Sequence, residues 1–183
     1  MNYPIEVRII ADSLSPCGAR LTSFELSYPR WIHAELLTHR ALSKCSQSSR
    51  AVPVTKVQKV NKKPVEPFYY GSNIHGMSSK ESLSGWRLRA AKAVWKGASK
   101  GAFFISGLLG KVGLHKQWAN RITEPFSTIK VVVTGTDFDN FFWLRTEMEA
   151  VQPELYVLAN KMQEAYNLSI PKNLSPGHWH LPY

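Results

Sequence analysis

The apolar residues of this chain change their spacing in blocks, and that succession limits the folds open to it. Short β-branched runs at Ile5 to Ala11 and Leu21 to Tyr28, bounded by Ser, Pro and Gly, read as strands. Pro29 then fits the first turn of a helix through Trp31, Ile32, Leu36 and Leu37 to about Leu42. A long helical pattern runs from about Ser84 to Leu109, but Gly97, Gly101 and Gly107 weigh against one unbroken helix. A shorter helix is expected from Leu114 to Thr123, ending before Pro125. The densest strand signal comes late, at Ile129 to Thr136. Asp137 or Asp139 is placed to cap a helix starting near Asn140, and Pro153 opens a last helix to about Asn167. Ser43 to Arg50 reads as a polar loop, Lys59 to Ser79 as mostly loop, and Ser169 to Tyr183 as an extended tail. This is not a βαβ alternation. The expectation is an α+β fold and a single domain over residues 1–183.

A chain of 183 residues buries a core without disulfide or metal staples. The formal charge of +10 draws anions, whether nucleic acid, acidic membrane or small phosphorylated ligands. The two cysteines, Cys17 and Cys45, form no CxxC pair, so zinc-ribbon and thioredoxin-like readings lack support. His75, His115, His178 and His180 show no zinc-ligand spacing, and no metal is expected, beyond adventitious chelation by His178 and His180. The N-terminus has no signal-peptide pattern, and no apolar run reaches membrane-spanning length; a cytoplasmic protein is expected.

Three segments carry chemistry. Thr38-His-Arg-Ala-Leu-Ser-Lys-Cys-Ser-Gln-Ser-Ser-Arg50 joins a helix end with His39 and Arg40 to a hydroxyl-rich loop. Small residues let backbone N–H groups approach a ligand, and Arg offers a planar fork to phosphate, so the segment suits an anion cradle. A solvated helix C-terminus, with His and Arg complementing the dipole, explains the same residues. Asn120-Arg-Ile-Thr-Glu-Pro-Phe126 is the second segment, and Asn140-Phe-Phe-Trp-Leu-Arg145 the third. Arg145 and Glu149 stand i,i+4, the spacing of a helix surface pair. Phe141, Phe142 and Trp143 suit a core as well as a cofactor platform.

In order and spacing the three segments resemble the flavin-dependent thymidylate synthases. That family's signature is Arg-His-Arg, seven residues and Ser; His39, Arg40 and Ser48 occupy matching positions, and the segments around Arg121 and Arg145 look like its later motifs. The resemblance spans about residues 28 to 165. It implies an α+β domain with a central, mainly antiparallel sheet and packed helices, and a homotetramer with active sites between subunits. It implies FAD as cofactor, NADPH and methylenetetrahydrofolate as co-substrates, and conversion of dUMP to dTMP. On this chain Thr38, His39, Arg40 and Asn140 fall at the flavin. Ser48, Ser49, Arg50, Arg121 and Arg145 fall at the nucleotide, with Arg145 as the catalytic group. Neither cysteine is expected to attack the pyrimidine, and Ser48 is expected to bind nucleotide rather than act as a nucleophile.

The chain also departs from the signature. Thr38 stands where the family has its first Arg, Ser46 where an acidic residue is usual, and Cys45 where Asn is common. Two further readings stay open on that account: a pyrimidine-nucleotide 5-hydroxymethylase, and a catalytically inactive nucleotide- or nucleic-acid-binding protein. The charge and the aromatic content favour nucleic acid, but no RRM, KH or helix-turn-helix signature is visible.

Overall fold

Two N-terminal strands, β1 (Glu6–Leu14) and β2 (Arg20–Pro29), pair antiparallel, with an irregularity between Ile9 and Ala11. The turn between them closes at Gly18, whose φ of 85° lies in the left-handed region that favours glycine. The computed structural model describes residues 4–60, 65–76, 79, 81–147 and 151–183. After β2 come one 3-10 turn (Arg30–Ile32), α1 (His33–Leu37), β3 (Ser43–Ser46) and α2 (Val54–Val60). Next are α3 (Gly85–Lys111), α4 (Lys116–Ala119), a 3-10 segment (Asn120–Phe126) and β4 (Thr128–Gly135). The chain ends with α5 (Asp139–Arg145), α6 (Pro153–Leu168) and β5 (Lys172–Asn173).

The five strands make one sheet in the order β3-β4-β2-β1-β5. β3 pairs antiparallel with β4, and β5 parallel with β1. The fold is therefore α+β, as expected, with a sheet that is mixed because β5 joins β1 parallel. The chain divides into two compact units. A sheet unit holds Ile5–Tyr28, Ile32–Ser46 and Lys130–Tyr183; a helical unit includes Pro29–Trp31 and Gln47–Ile129.

In the sheet unit, alternate residues of β2 (Thr22, Phe24, Leu26, Tyr28) are fully buried. The core also takes in Val131, Val133, Phe138, Phe141, Leu155, Leu158 and Met162, so α5 and α6 bury the apolar stripe that their spacing predicts. Phe24 and Phe138 meet edge to face at 5.2 Å. Arg20 grips Asp12 through two nitrogens, at 3.0 and 2.7 Å, and donates to the Tyr166 carbonyl, tying the hairpin to the end of α6. Burial pushes the Asp12 carboxyl up, but hydrogen bonds from Arg20, Ser169 and Thr22 outweigh it and hold it below its ordinary value.

The helical unit is organised by α3. Trp95 donates to the Val65 carbonyl at 2.9 Å and packs edge to face against Trp31 and Phe126. Gln58 of α2 donates to the Phe103 carbonyl, and Gly107 lets the Gln58 amide approach the helix, where a Cβ would stand 2.7 Å from Nε2. α3 contains no acidic residue, and the only acids of this unit are Glu66, Glu81 and Glu124, so the chain's positive excess lies here. The outer side of α3 exposes Trp86, Val94, Phe104, Leu108 and Val112, with Gly97 and Gly101 open to solvent space.

Several boundaries depart from the sequence reading. α3 runs unbroken through its glycines, because Ala, Leu, Lys and Arg around them propagate a helix well enough to absorb about 1 kcal/mol per glycine. Pro29 ends β2 rather than opening a helix, and α1 stops at Leu37, so His39 and Arg40 lie in a turn instead of on a helix. Thr38 closes that helix by donating its hydroxyl to the Glu35 carbonyl at 2.6 Å. The loop at Ser43 is an edge strand, and Lys59 and Val60 belong to α2. The helix expected over Leu114 to Thr123 is one α-turn followed by a 3-10 segment that runs through Pro125. The N-cap position of α5 is Phe138 rather than Asp137 or Asp139, and Asp137 accepts from the Asp139 N–H at 2.9 Å just ahead of it. The tail is partly ordered by β5 and by His180, which bridges Ser23 and Ser13 at 2.9 Å each.

Candidate functional site

The motif residues fall into two groups, one in each unit. In the sheet unit, β4 and the short loop after it deliver α5 with Asn140 and Arg145 on its exposed side and Phe141 turned into the core. The turn after α1 delivers Thr38, His39 and Arg40. Together they line a pocket of about 200 Å³, completed by Ala41, Leu42, Asp137, Phe141 and Leu144. Four residues expected at the flavin (Thr38, His39, Arg40, Asn140) and Arg145 are thus brought together from two distant segments.

His39 is the fixed point of this group. It is 8 % exposed, and its ring meets Phe141 edge to face at 4.8 Å. Its Nε2 accepts a hydrogen bond from Arg145 Nε at 2.9 Å, while Lys44 donates to its backbone carbonyl. Burial, then the positive charges of Arg145 and Lys44, push the imidazole below its ordinary value, so it is neutral at pH 7. The surface pair between Arg145 and Glu149 cannot be described, because Glu149 lies outside the described residues. Arg40 and Asn140 are exposed at the pocket rim. Of the aromatic triplet, Phe141 and Phe142 are core, but Trp143 is 76 % exposed.

The second group lies in the helical unit. Asn120, 1 % exposed, donates through Nδ2 to the carbonyls of Ser49 and Val52, fixing the turn that carries Ser48, Ser49 and Arg50. Glu124 is its hub. Oε1 accepts from Ser49 Oγ at 2.7 Å and pairs with Arg30 at 3.2 Å and Arg121 at 3.4 Å. Ser48 Oγ accepts from the Arg50 N–H at 3.2 Å, and the Arg50 side chain is exposed. This group presents cations to solvent around one carboxylate, an arrangement suited to a phosphorylated ligand. Of the residues expected at a nucleotide, Ser48, Ser49, Arg50 and Arg121 belong to this group and Arg145 to the pocket above.

Sequence reasoning missed Glu124 and Asn120 as organisers, although both stand in the segment it singled out. It also missed the bond between His39 and Arg145, for which spacing carries no signal. Cys17 and Cys45 are exposed free thiols, and neither lines the pocket.

By fold, the chain is an α+β protein whose sheet unit carries a pocket lined by Arg40, Asp137 and Arg145. Among the solved structures it is similar to are two of the UMP/dUMP methylase PolB from Streptomyces cacaoi. The one bound with 5-Br UMP is 16 % identical, covers 90 % of this chain and 89 % of its own, and has a TM-score of 0.75. The one bound with 5-Br dUMP is 15 % identical, covers 90 % of each chain, and has a TM-score of 0.72. At that identity the likeness is one of fold. No protein-family model and no curated protein matches the chain. Among the described residues no helix is long and apolar enough to cross a membrane.

Proposed function

We propose that the chain is a one-carbon transferase acting at C5 of a uridylate-type nucleotide, converting dUMP to dTMP with methylenetetrahydrofolate as carbon donor and reduced FAD as hydride source. The observation that carries this reading is the pocket itself. His39, Arg40, Asn140 and Arg145 come from motifs about a hundred residues apart, and they line one cavity in a fold similar to that of a UMP/dUMP methylase.

The pocket suits part of a flavin. Its volume of about 200 Å³ is below that of a typical site for a whole cofactor, so it would take one ring or one phosphate. Thr38, His39, Arg40 and Asn140 would hold that part, and bound FAD would supply the hydride that reduces the transferred carbon. Arg145 presents a cation where a pyrimidine carbonyl gains negative charge as C5 becomes nucleophilic. Ser48, Arg50 and Arg121 are the helical unit's own candidates for binding a phosphate group, and Glu124 keeps their segment ordered before ligand arrives. Ser49 serves through its backbone, because its hydroxyl is committed to Glu124. NADPH is the reductant in this account, and the positive helical unit draws all of these anions. A homotetramer joined in part through the exposed apolar side of α3 belongs to the same proposal. The 5-hydroxymethylase reading keeps one observation: Thr38 lines the pocket with a short side chain turned to the Glu35 carbonyl, leaving room for water. The test is to incubate the purified protein with FAD, NADPH, methylenetetrahydrofolate and dUMP, and to identify the nucleotide product by mass.

A further inference from the structure

We propose that His39 is a positioning residue: its imidazole accepts from Arg145 Nε and so holds the guanidinium with its two terminal nitrogens, which have no partner among the described residues, turned to an anionic ligand. This rests on the reading above, that the pocket receives part of a uridylate-type nucleotide or of the flavin.

The geometry carries it. Arginine nitrogen donates and never accepts, so the Nε2 that meets Arg145 Nε at 2.9 Å has no hydrogen, and the ring's proton is on Nδ1. The ring cannot drift from this contact without losing others. Phe141 holds it edge to face, Lys44 fixes the backbone carbonyl, and the side chain is almost wholly buried. Arg145, by contrast, is partly exposed at the end of α5, where a long side chain left alone would sample many rotamers. Fixing Nε removes most of that freedom before ligand arrives. With Nε2 occupied, His39 offers a flavin only its Nδ1 hydrogen, so its main effect on binding runs through Arg145.

The contact is sensitive to protons. The charged groups facing His39 are Arg145 from α5, Lys44 from β3, Arg40 beside it in the turn, and Asp137, which lines the same pocket ahead of α5. The two that touch it are cations. A proton on Nε2 would set donor against donor and cation against cation, and Arg145 would be released.

The experiment is a dUMP titration of the wild-type protein, H39A and H39Q from about pH 5 to 8, alongside nitrogen-15 NMR of the imidazole and of Arg145 Nε. Glutamine is chosen because its side-chain oxygen accepts without titrating. The phosphate of dUMP ionises near pH 6 in all three, so the ratio of wild type to H39Q isolates the imidazole. The expected result is the Nδ1–H tautomer, a slowly exchanging Arg145 Nε hydrogen that is lost in H39A, and dUMP binding weakened about tenfold in H39A. H39Q should recover most of that affinity, and wild type should fall relative to it as pH drops below 6.5. An Nε2–H tautomer, wild-type affinity in H39A, or equal weakness of H39Q and H39A overturns the proposal. A wild-type protein that binds no dUMP but keeps the tautomer and the protected Arg145 hydrogen refutes the nucleotide reading and supports the clip.

Discussion

Arg145 Nε and His39 Nε2 stand 2.9 Å apart and join the turn after α1 to the last turn of α5. The bond ties two of the three chemistry-bearing segments to one side of the sheet unit. It turns an arginine that sequence reads as half of a surface pair into the fixed cation of a pocket.

The first prediction follows from it. Arg145→Ala should weaken dUMP binding at least tenfold, since charge-assisted hydrogen bonds contribute roughly 1.5–3 kcal/mol each. Stability should fall by no more than about 1–2 kcal/mol, the cost of leaving Nε2 without a donor. Arg145→Lys should recover little, because an ammonium cannot reproduce the fork. Calorimetry with dUMP and thermal unfolding separate the two effects; unchanged affinity would return Arg145 to a surface role.

Glu124 makes a different prediction. Its carboxylate serves Ser49, Arg30 and Arg121, and the Arg30 pair is largely shielded, with both side chains 21 % exposed. Glu124→Ala should cost about 1–3 kcal/mol of stability, whereas Arg121→Ala, at an exposed pair, should cost under about 1 kcal/mol. Urea unfolding of the two variants is the check, and equal costs would remove Glu124 as the hub.

The C-terminal tail should be pH-sensitive. His180 bridges the hydroxyls of Ser13 and Ser23, and burial pushes it below its ordinary value, with Asp12 opposing. Its folded value is lower than its unfolded one, so its contribution is complete above 6.5 and is lost as pH falls through the folded value. The protection of the Leu174 amide against exchange, relative to its intrinsic rate, should fall below that point and should be low at every pH in His180→Ala; this N–H donates to the Leu14 carbonyl. A protection that ignores both pH and the substitution would contradict a role for His180 in holding the tail.

The exposed apolar side of α3 gives a test of assembly. Trp86, Val94, Phe104, Leu108 and Val112 are all exposed along α3 and its C-cap, and clustered exposed apolar side chains mark association surfaces. Phe104→Glu should lower the mass seen in analytical ultracentrifugation while leaving the far-ultraviolet spectrum unchanged. A wild-type protein that sediments as a monomer would refute the homotetramer.

The elements with strong periodicity were legible. β4 declares itself through Val131, Val132 and Val133, and α6 through Pro153 and its apolar stripe. β3 was not legible: Ser43-Lys-Cys-Ser has no alternation, and it is a strand only because β4 offers it a free edge. The helix expected to carry His39 stops at Leu37, where the Thr38 hydroxyl takes the Glu35 carbonyl, a local closure that apolar spacing does not announce. At the site, residue types and order picked out His39, Asn140 and Arg145 before any geometry. They could not reveal which of them touch, because contacts across the fold leave no trace in local spacing. Glu124 and Asn120 were hidden likewise; an Asn or a Glu beside Arg reads as a solvated residue until its partners are in place.

The most direct measurement of the central claim is the mass of the nucleotide formed from dUMP by the purified, FAD-loaded protein with NADPH and methylenetetrahydrofolate under anaerobic conditions. The account predicts a yellow protein and thymidylate as the product. A product heavier than thymidylate by one oxygen would establish the 5-hydroxymethylase instead. A colourless protein that takes up no added FAD and returns dUMP unchanged would contradict the account outright.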